Sequence, residues 1–418
     1  MLNSKNEREL AYVVMIDKIT PIEGYDRVEL AHVGGWTVVV GKGEFKPGDP
    51  AIYFEIDSQL PEVKPFTDME FLAKKHYKIK TQKMCKSLSQ GLLMSADNFG
   101  WEPIYNIDDM ADIVAIKDSE GVFHYCGYED DESKFLTKQL GVTYAVPEDN
   151  KRKASTGDKY KAMARRHPKL FSHQPFRWMM KHTWSKKLLF VFFGKKKDKK
   201  NAWPSWVTKT DEERIENMPY LLENHTTPWI ATEKIDGTST TFTLKRGHGL
   251  KKEQFYICSR NVVFDKPNKK CYYDTNVYIE MAEKYDIYNK MKNIMNKYFQ
   301  NEEWITIQGE TYGAGIQKRN YSISEHNFMA FNFITEKEGR WNSIRMRGLL
   351  EKEFGIPCVP IVDYEYFLPE TIEELRSYVD RDTSVIDGKM REGIVFRSIN
   401  GKKSFKCVSP TYLMTFHE

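Results

Sequence analysis

Between residues 9 and 130 the apolar positions come in short β-type runs separated by Gly, Pro and Asp. AYVVMIDKI, VELAHV, WTVVVG, AIYFEID and GLLMSA are the clearest, with GG, KPGDP and LPEVKP between them. Short strands at this spacing predict a small β-barrel. From about 203 onward the pattern turns mixed. Trp229 through Leu244 reads as strand, turn, strand, with Asp236-Gly237 as the turn. Val277, Met281, Met291, Ile294, Met295 and Tyr298 recur at helical spacing and predict one long helix across 276–299, its methionines filling a core. WITIQGE and FMAFNFI predict strands. Thr371 and Glu374 form a capping box that opens a further helix, and GIVFRS and SFKCVS predict two closing strands.

At 418 residues, 40% hydrophobic and 29% charged, the chain has length for two or three domains and the composition of a soluble globular protein. The opening MLNSKNEREL lacks the apolar region of a secretory signal, and LLFVFF at 188–193 is too short to span a bilayer, so no membrane partner is expected. Cysteines 85, 126, 258, 271, 358 and 407 form no C-x-x-C pair and have no histidine at zinc spacing. They predict reduced, mostly buried thiols in a cytoplasmic protein.

The net charge of +4 is unevenly spread. Residues 151–200 hold 17 Lys or Arg against two Asp, while the remainder holds 46 basic and 57 acidic residues. In the basic stretch Phe171, Phe176, Trp178 and Trp184 alternate with Arg165, Arg166, Lys169, Arg177 and Lys181. Cations hold phosphates and aromatic faces stack on bases, so these five basic residues are candidate nucleic-acid contacts. A solvated linker, or helices anchored on a neighbouring domain, has the same composition.

The candidate chemistry starts at ATEKIDGTST, residues 231–240. K-x-D-G alone is weak, arising by chance in roughly one chain in ten of this length. After Lys234, however, come SRN at 259–261, IQGE at 307–310, FMAFNF at 328–333, REGIVFR at 391–397 and SFK at 404–406. This series resembles the nucleotidyltransferase motifs of covalent ligases and mRNA capping enzymes, in the family's order. With KTDEERI at 209–215 and the N-terminal barrel, it is similar to ATP-dependent RNA ligases that carry an amino-terminal OB domain and join 3′-OH ends. The resemblance implies an α+β protein: an OB-like β-barrel over 1–130, a basic linker or insert over 131–202, and a mixed α/β nucleotidyltransferase domain with antiparallel sheets over 203–418. It implies ATP, Mg²⁺ or Mn²⁺, a nicked RNA duplex or RNA ends as partner, and a monomer.

Carried over position by position, the resemblance makes Lys234 the nucleophile on the α-phosphate. Glu392, helped by Asp236, places the metal, and Lys406 holds the α-phosphate. Glu310 binds the ribose hydroxyls, Phe331 stacks on adenine, and Arg260 lies near ribose and phosphates. Glu233, Lys209 and Arg214 are further nucleotide or 5′-phosphate contacts. The physical requirement is that the lysine be neutral when it attacks, against a free pKa of ~10.4. Desolvation and a nearby divalent cation both favour that form. A lysine at a strand end beside a tight turn points into a cleft, and Glu310, closing WITIQG, is expected at a strand end too. Plainer roles fit the same residues: Lys234 paired with Glu233 or Asp236, Glu310 paired with Arg260, and Phe331 buried with Phe328 and Phe333.

One position departs from the family. Many relatives carry K-x-K, but the positions two residues either side of Lys406 are Ser404 and Val408. Lys402 or Lys403 is the candidate substitute. Two alternatives stay open on sequence grounds: a GTP-dependent capping guanylyltransferase, whose OB domain follows the catalytic one as in DNA ligases, and a non-catalytic RNA-binding protein with a degenerate pocket.

Overall fold

A computed structural model describes residues 1–5, 7–105, 113–127, 132–145, 203–209, 212–247, 252–264, 275–319 and 321–416, with Gly249, Tyr273 and the isolated residues His173, Gln174, Met179 and Ser185. Residues Met1–Ala145 and Trp203–Glu418 group into one compact unit and Val146–Ala202 into a second. Arg165, Arg166, Lys169, Arg177 and Lys181 lie outside the described residues.

Among the described residues the N-terminal region holds three three-stranded antiparallel sheets, one made of Glu102–Ile104, Val114–Lys117 and Phe123–Cys126 and two that carry the barrel's central strands. Of these two, one orders Ala11–Met15, Pro50–Phe54 and Leu92–Met94; the other orders Lys18–Ile22, Tyr25–Val33 and Trp36–Gly41. AYVVM and PAIYF are continuously apolar because both faces of these strands are buried. Tyr12, Val14, Ala51 and Tyr53 pack with Trp36 and Val38, while Ala11, Val13, Ile52 and Phe54 pack with Phe66, Leu72 and Leu136. WTVVVG alternates between buried and half-buried positions, as a strand with one wet face must. The barrel's cover runs past the expected limit at 130. Leu136 is fully buried and its N–H donates to the Ala11 carbonyl at 2.8 Å, and Thr143–Tyr144 pairs with Ser58–Gln59.

The C-terminal region is built on two further antiparallel sheets. A four-stranded sheet runs in the order Ile361–Phe367, Pro228–Lys234, Gly393–Ser398, Ser404–Val408. A six-stranded sheet runs Val263–Phe264, Gln254–Ser259, Thr238–Lys245, Trp304–Gly313, His326–Thr335, Gly339–Arg340. The capping box at Thr371 and Glu374 forms as expected and opens the helix Ile372–Arg381.

Three expectations are corrected. The segments flanking Asp236-Gly237 do not pair as a hairpin; they belong to different sheets, and Ile235-Asp236-Gly237 crosses between them. Buried Ile235 packs with Tyr312, Tyr321 and Val359, which holds this crossing inside the domain. Gly237 is needed there because a Cβ would lie 2.3 Å from the Thr311 carbonyl oxygen. The long helix is two, Val277–Lys284 and Ile287–Tyr298, broken where Asp286 takes a left-handed φ of 48°. In one continuous helix Ile287 would be turned about 120° from Met281; the break returns both to one core. Finally, Glu310 lies within its strand rather than at the end, opposite Ser239 and Met329.

Candidate active site

The two C-terminal sheets wall a cavity of about 350 Å³ whose lining includes Thr232, Lys234, Glu310, Phe331, Arg397 and Lys406. Strand alternation selects these side chains. On the four-stranded sheet Trp229, Ala231, Ile394, Phe396, Phe405 and Cys407 fill the core behind, leaving Thr232, Lys234, Val395, Arg397 and Lys406 for the cavity. Lys234 pairs across the sheet with Gly393, where a Cβ would meet the Cys407 carbonyl oxygen at 2.4 Å. The lysine therefore has no cross-strand side chain competing for its space.

Lys234 Nζ donates to Glu392 Oε1 at 2.6 Å. Burial pulls the amine's pKa down, but Glu392, Glu310 and Asp236 outweigh it and hold the pKa above its ordinary value. Desolvation by itself therefore does not bring the amine below its ordinary pKa. Lys234 is clamped against Glu392. Glu310 shows the counterpart: burial, reinforced by Glu392 and Asp236, lifts its pKa to about 8 against the pull of Lys234 and Arg260. Asp236 is fixed twice, its backbone N–H donating to Tyr321 Oη at 2.6 Å and its carboxylate accepting from Tyr412. Glu392 Oε2 is buried with no hydrogen-bond partner among the described residues.

Phe331 owes its position to an irregularity. Gln308 pairs with Asn332 and Gly309 with Ala330, so Phe331 is the extra residue of a β-bulge. Phe328 and Phe333, five residues apart, would face opposite sides of a regular strand. The bulge puts both into one core and turns Phe331 into the cavity. Gly309 opposite the bulge admits no Cβ, which would sit 2.3 Å from the Met329 carbonyl oxygen.

The remaining candidates spread out. Exposed Arg260 borders the cavity. Glu233 also borders it, but its carboxylate accepts from Ser384 Oγ and from the Val385 N–H at 2.8 Å, and burial raises its pKa. Lys209 does not line the cavity; it donates to Asn261 at 3.0 Å and lies over the Trp203 ring. Nor does Arg214, whose guanidinium lies 6.0 Å from the Trp36 ring of the barrel. Lys402 and Lys403, the candidate substitutes for the missing motif lysine, border other grooves rather than this cavity.

What stands in that neighbourhood is an ion cluster missed from sequence. Ser404 donates to Glu212, whose carboxylate also accepts from Arg397 at 3.1 Å and Arg340 at 3.3 Å. Burial raises the Glu212 pKa, yet the two arginines bring it below the usual value. Arg397, 2% exposed, also donates to Thr232 and lies 6.0 Å from the Phe331 ring. Its place at the end of REGIVFR, two residues from cavity-facing Val395, was the available signal.

Comparison with known proteins agrees with this geometry. Residues 227–408 match the RNA ligase family model, and residues 10–96 match an OB-fold domain model. This part of the chain is similar to RNA ligases. Lys234, Glu310, Phe331, Glu392 and Lys406 all fall inside it. Solved structures of Naegleria gruberi RNA ligase are similar in fold over most of the chain. A lysine-to-methionine mutant of that enzyme with AMP and Mn is 25% identical, covers 97% of this chain and 98% of its own, and superposes with a TM-score of 0.63. The same enzyme with pyrophosphate gives 25%, 97%, 98% and 0.62. A lysine-to-alanine mutant with ATP and Mn gives 25% and 0.63 over the same spans. A search of the curated proteins finds no match. Among the described residues no helix is long and apolar enough to cross a membrane.

Proposed function

We propose that the protein is an ATP-dependent RNA ligase that joins a 3′-OH to a 5′-phosphate, with nicks in duplex RNA as substrate, through a lysyl-AMP intermediate. The observation that carries this reading is Lys234 Nζ held by Glu392 in a cavity bordered by Glu310, Phe331, Arg260 and Lys406. The Naegleria enzyme, solved with AMP, ATP or pyrophosphate, supports ATP as the nucleotide.

In the first step Lys234 Nζ, having lost a proton to water, attacks the α-phosphorus; a P–N bond forms, the bond to the bridging oxygen breaks, pyrophosphate leaves, and a second Nζ proton passes to water. Phe331 offers a flat face to adenine, which gives base binding without reading the base edge. Glu310 offers a carboxylate to the ribose hydroxyls. Lys406 and Arg260 balance charge that builds on the phosphate oxygens. AMP then passes to the RNA 5′-phosphate, and a 3′-OH displaces AMP to close the strand.

Buried, unpartnered Glu392 Oε2 beside Asp236 fits Mg²⁺ or Mn²⁺. Among the described residues no group of three or more His, Cys, Asp or Glu makes a ready cage, which suits cations that keep water and take one or two carboxylates with substrate phosphates. A divalent cation bound there supplies positive charge that lowers the amine pKa and shields the phosphates.

The test incubates the protein with α-labelled ATP and Mg²⁺ or Mn²⁺, followed by a denaturing gel and acid treatment. An acid-labile adduct on Lys234, chased into joined RNA by a nicked duplex, is the expected outcome. No adduct with ATP under either metal, or full labelling of Lys234→Ala, refutes it.

A further inference from the structure

Outside the basic stretch at 151–200, acidic residues outnumber basic ones, and this hides a second concentration of charge. AKKHYKIKTQKMCK, residues 73–86, contains six lysines and no acidic residue. The segment runs from the helix Glu70–Lys74 into a β-hairpin, Thr81–Met84 paired with Ser87–Gln90.

The hairpin is anchored on one side and bare on the other. Its return strand is tied to the barrel: Thr37 Oγ1 donates to the Leu88 carbonyl at 3.0 Å, the Val39 N–H to Ser89 Oγ at 3.1 Å, and Tyr53 Oη to the Gln90 carbonyl. A Cβ at Gly91 would overlap the Tyr53 ring, so the strand leaves the barrel at a fixed place. Along the outer strand and at the tip, Lys80, Lys83 and Lys86 are exposed and make no ion pair among the described residues. Lys75 reaches Gln82 and binds the preceding turn to the hairpin.

The backbone here departs from what local preference favours. His76, Tyr77, Cys85 and Lys86 all have positive φ. A two-residue hairpin turn with both φ values positive is best served by Asn-Gly; this chain has Cys85-Lys86, which places a lysine at the tip. The return strand also packs beside the last helix, Pro410–Phe416, whose Tyr412 holds Asp236 next to the nucleophile. The lysines thus belong to the element that links the barrel to the catalytic cleft.

We infer that the hairpin of residues 81–90, with Lys80, Lys83 and Lys86 as its contacts, is the barrel's binding surface for the phosphate backbone of the RNA being joined. This rests on the RNA-ligase reading and adds to it where the duplex is held. Fixed backbone and free ammonium groups suit phosphates, which are engaged by charge without base readout.

The test measures binding of a fluorescent nicked RNA duplex by anisotropy across a salt series, for the wild type and for the triple variant Lys80→Gln, Lys83→Gln, Lys86→Gln. Each lost phosphate contact lowers the slope of log affinity against log salt by about 0.9, so the triple variant is expected to lose about 2 to 3. The triple Lys→Arg variant keeps the wild-type slope. Thermal melting verifies that each variant is folded. An unchanged slope in a folded glutamine variant overturns the inference, as does weakened binding that arginine does not restore. Lysyl-AMP formation by the wild type is scored separately: its absence refutes the ligase reading, whereas the salt slope judges the hairpin alone.

Discussion

The cleft around Lys234 and the lysine hairpin both concentrate cationic side chains and hold them in opposite ways. In and beside the cleft the charges are paired with one another: Lys234 with Glu392, Arg397 and Arg340 with Glu212, and Asp236 with the Tyr412 hydroxyl. On the hairpin Lys80, Lys83 and Lys86 are exposed and make no ion pair among the described residues. The contrast follows from the tasks. Phosphoryl transfer needs charges fixed before the substrate arrives, since reorienting them during reaction would cost barrier height. Holding a polyanion needs charges that exchange counterions, and the strength of such binding is set by salt.

The largest expected break in this comparison comes at Lys234, the proposed nucleophile. Lys234→Ala should lower adduct formation by on the order of 10⁴-fold or more in the labelled-ATP gel, equally at low and high salt, because no neighbouring amine replaces it. Glu392→Gln should come next, with adenylylation rates down about 10²- to 10³-fold and the metal requirement shifted to higher concentration. A matching loss in salt dependence would place Glu392 with the binding surface instead. Phe331→Ala should raise KM for ATP about tenfold with a smaller change in kcat, the size expected for one lost stacking face. Steady-state adenylylation kinetics decide it.

The smallest effect concerns Glu310. Its pKa is about 8 in the folded protein against an ordinary 4.5. The folded state therefore keeps a proton that the unfolded chain releases. The associated stability is fully present below 4.5 and is lost as pH rises through about 8. The melting temperature of the wild type should fall from pH 5 to pH 8 more than that of Glu310→Gln. Parallel curves would mean that Glu310 is ionised throughout.

Much of the site was legible because the motifs are local. A lysine before Asp-Gly, a glutamate before an apolar run and a lysine between core residues each name their own position. Alternation then settles which side chains face the cavity, as it does for Lys406 between Phe405 and Cys407. Less legible was anything that needed two distant segments. Glu212 gains its meaning only beside Arg397 and Arg340, more than 120 residues away in sequence. Lys209 and Arg214, near the same stretch, turned to Asn261 and Trp36 instead of the cavity.

The sequence by itself determined the strands, the capped helix and the order of the motif residues, since these depend on side-chain period and on neighbours within a few positions. Tertiary structure decided that Asp236-Gly237 crosses between sheets and that a bulge, not plain alternation, presents Phe331. It also decided the direction in which the Lys234 pKa moves. Pairing partners, and the field at a buried amine, are sums over residues that meet only after the chain has folded.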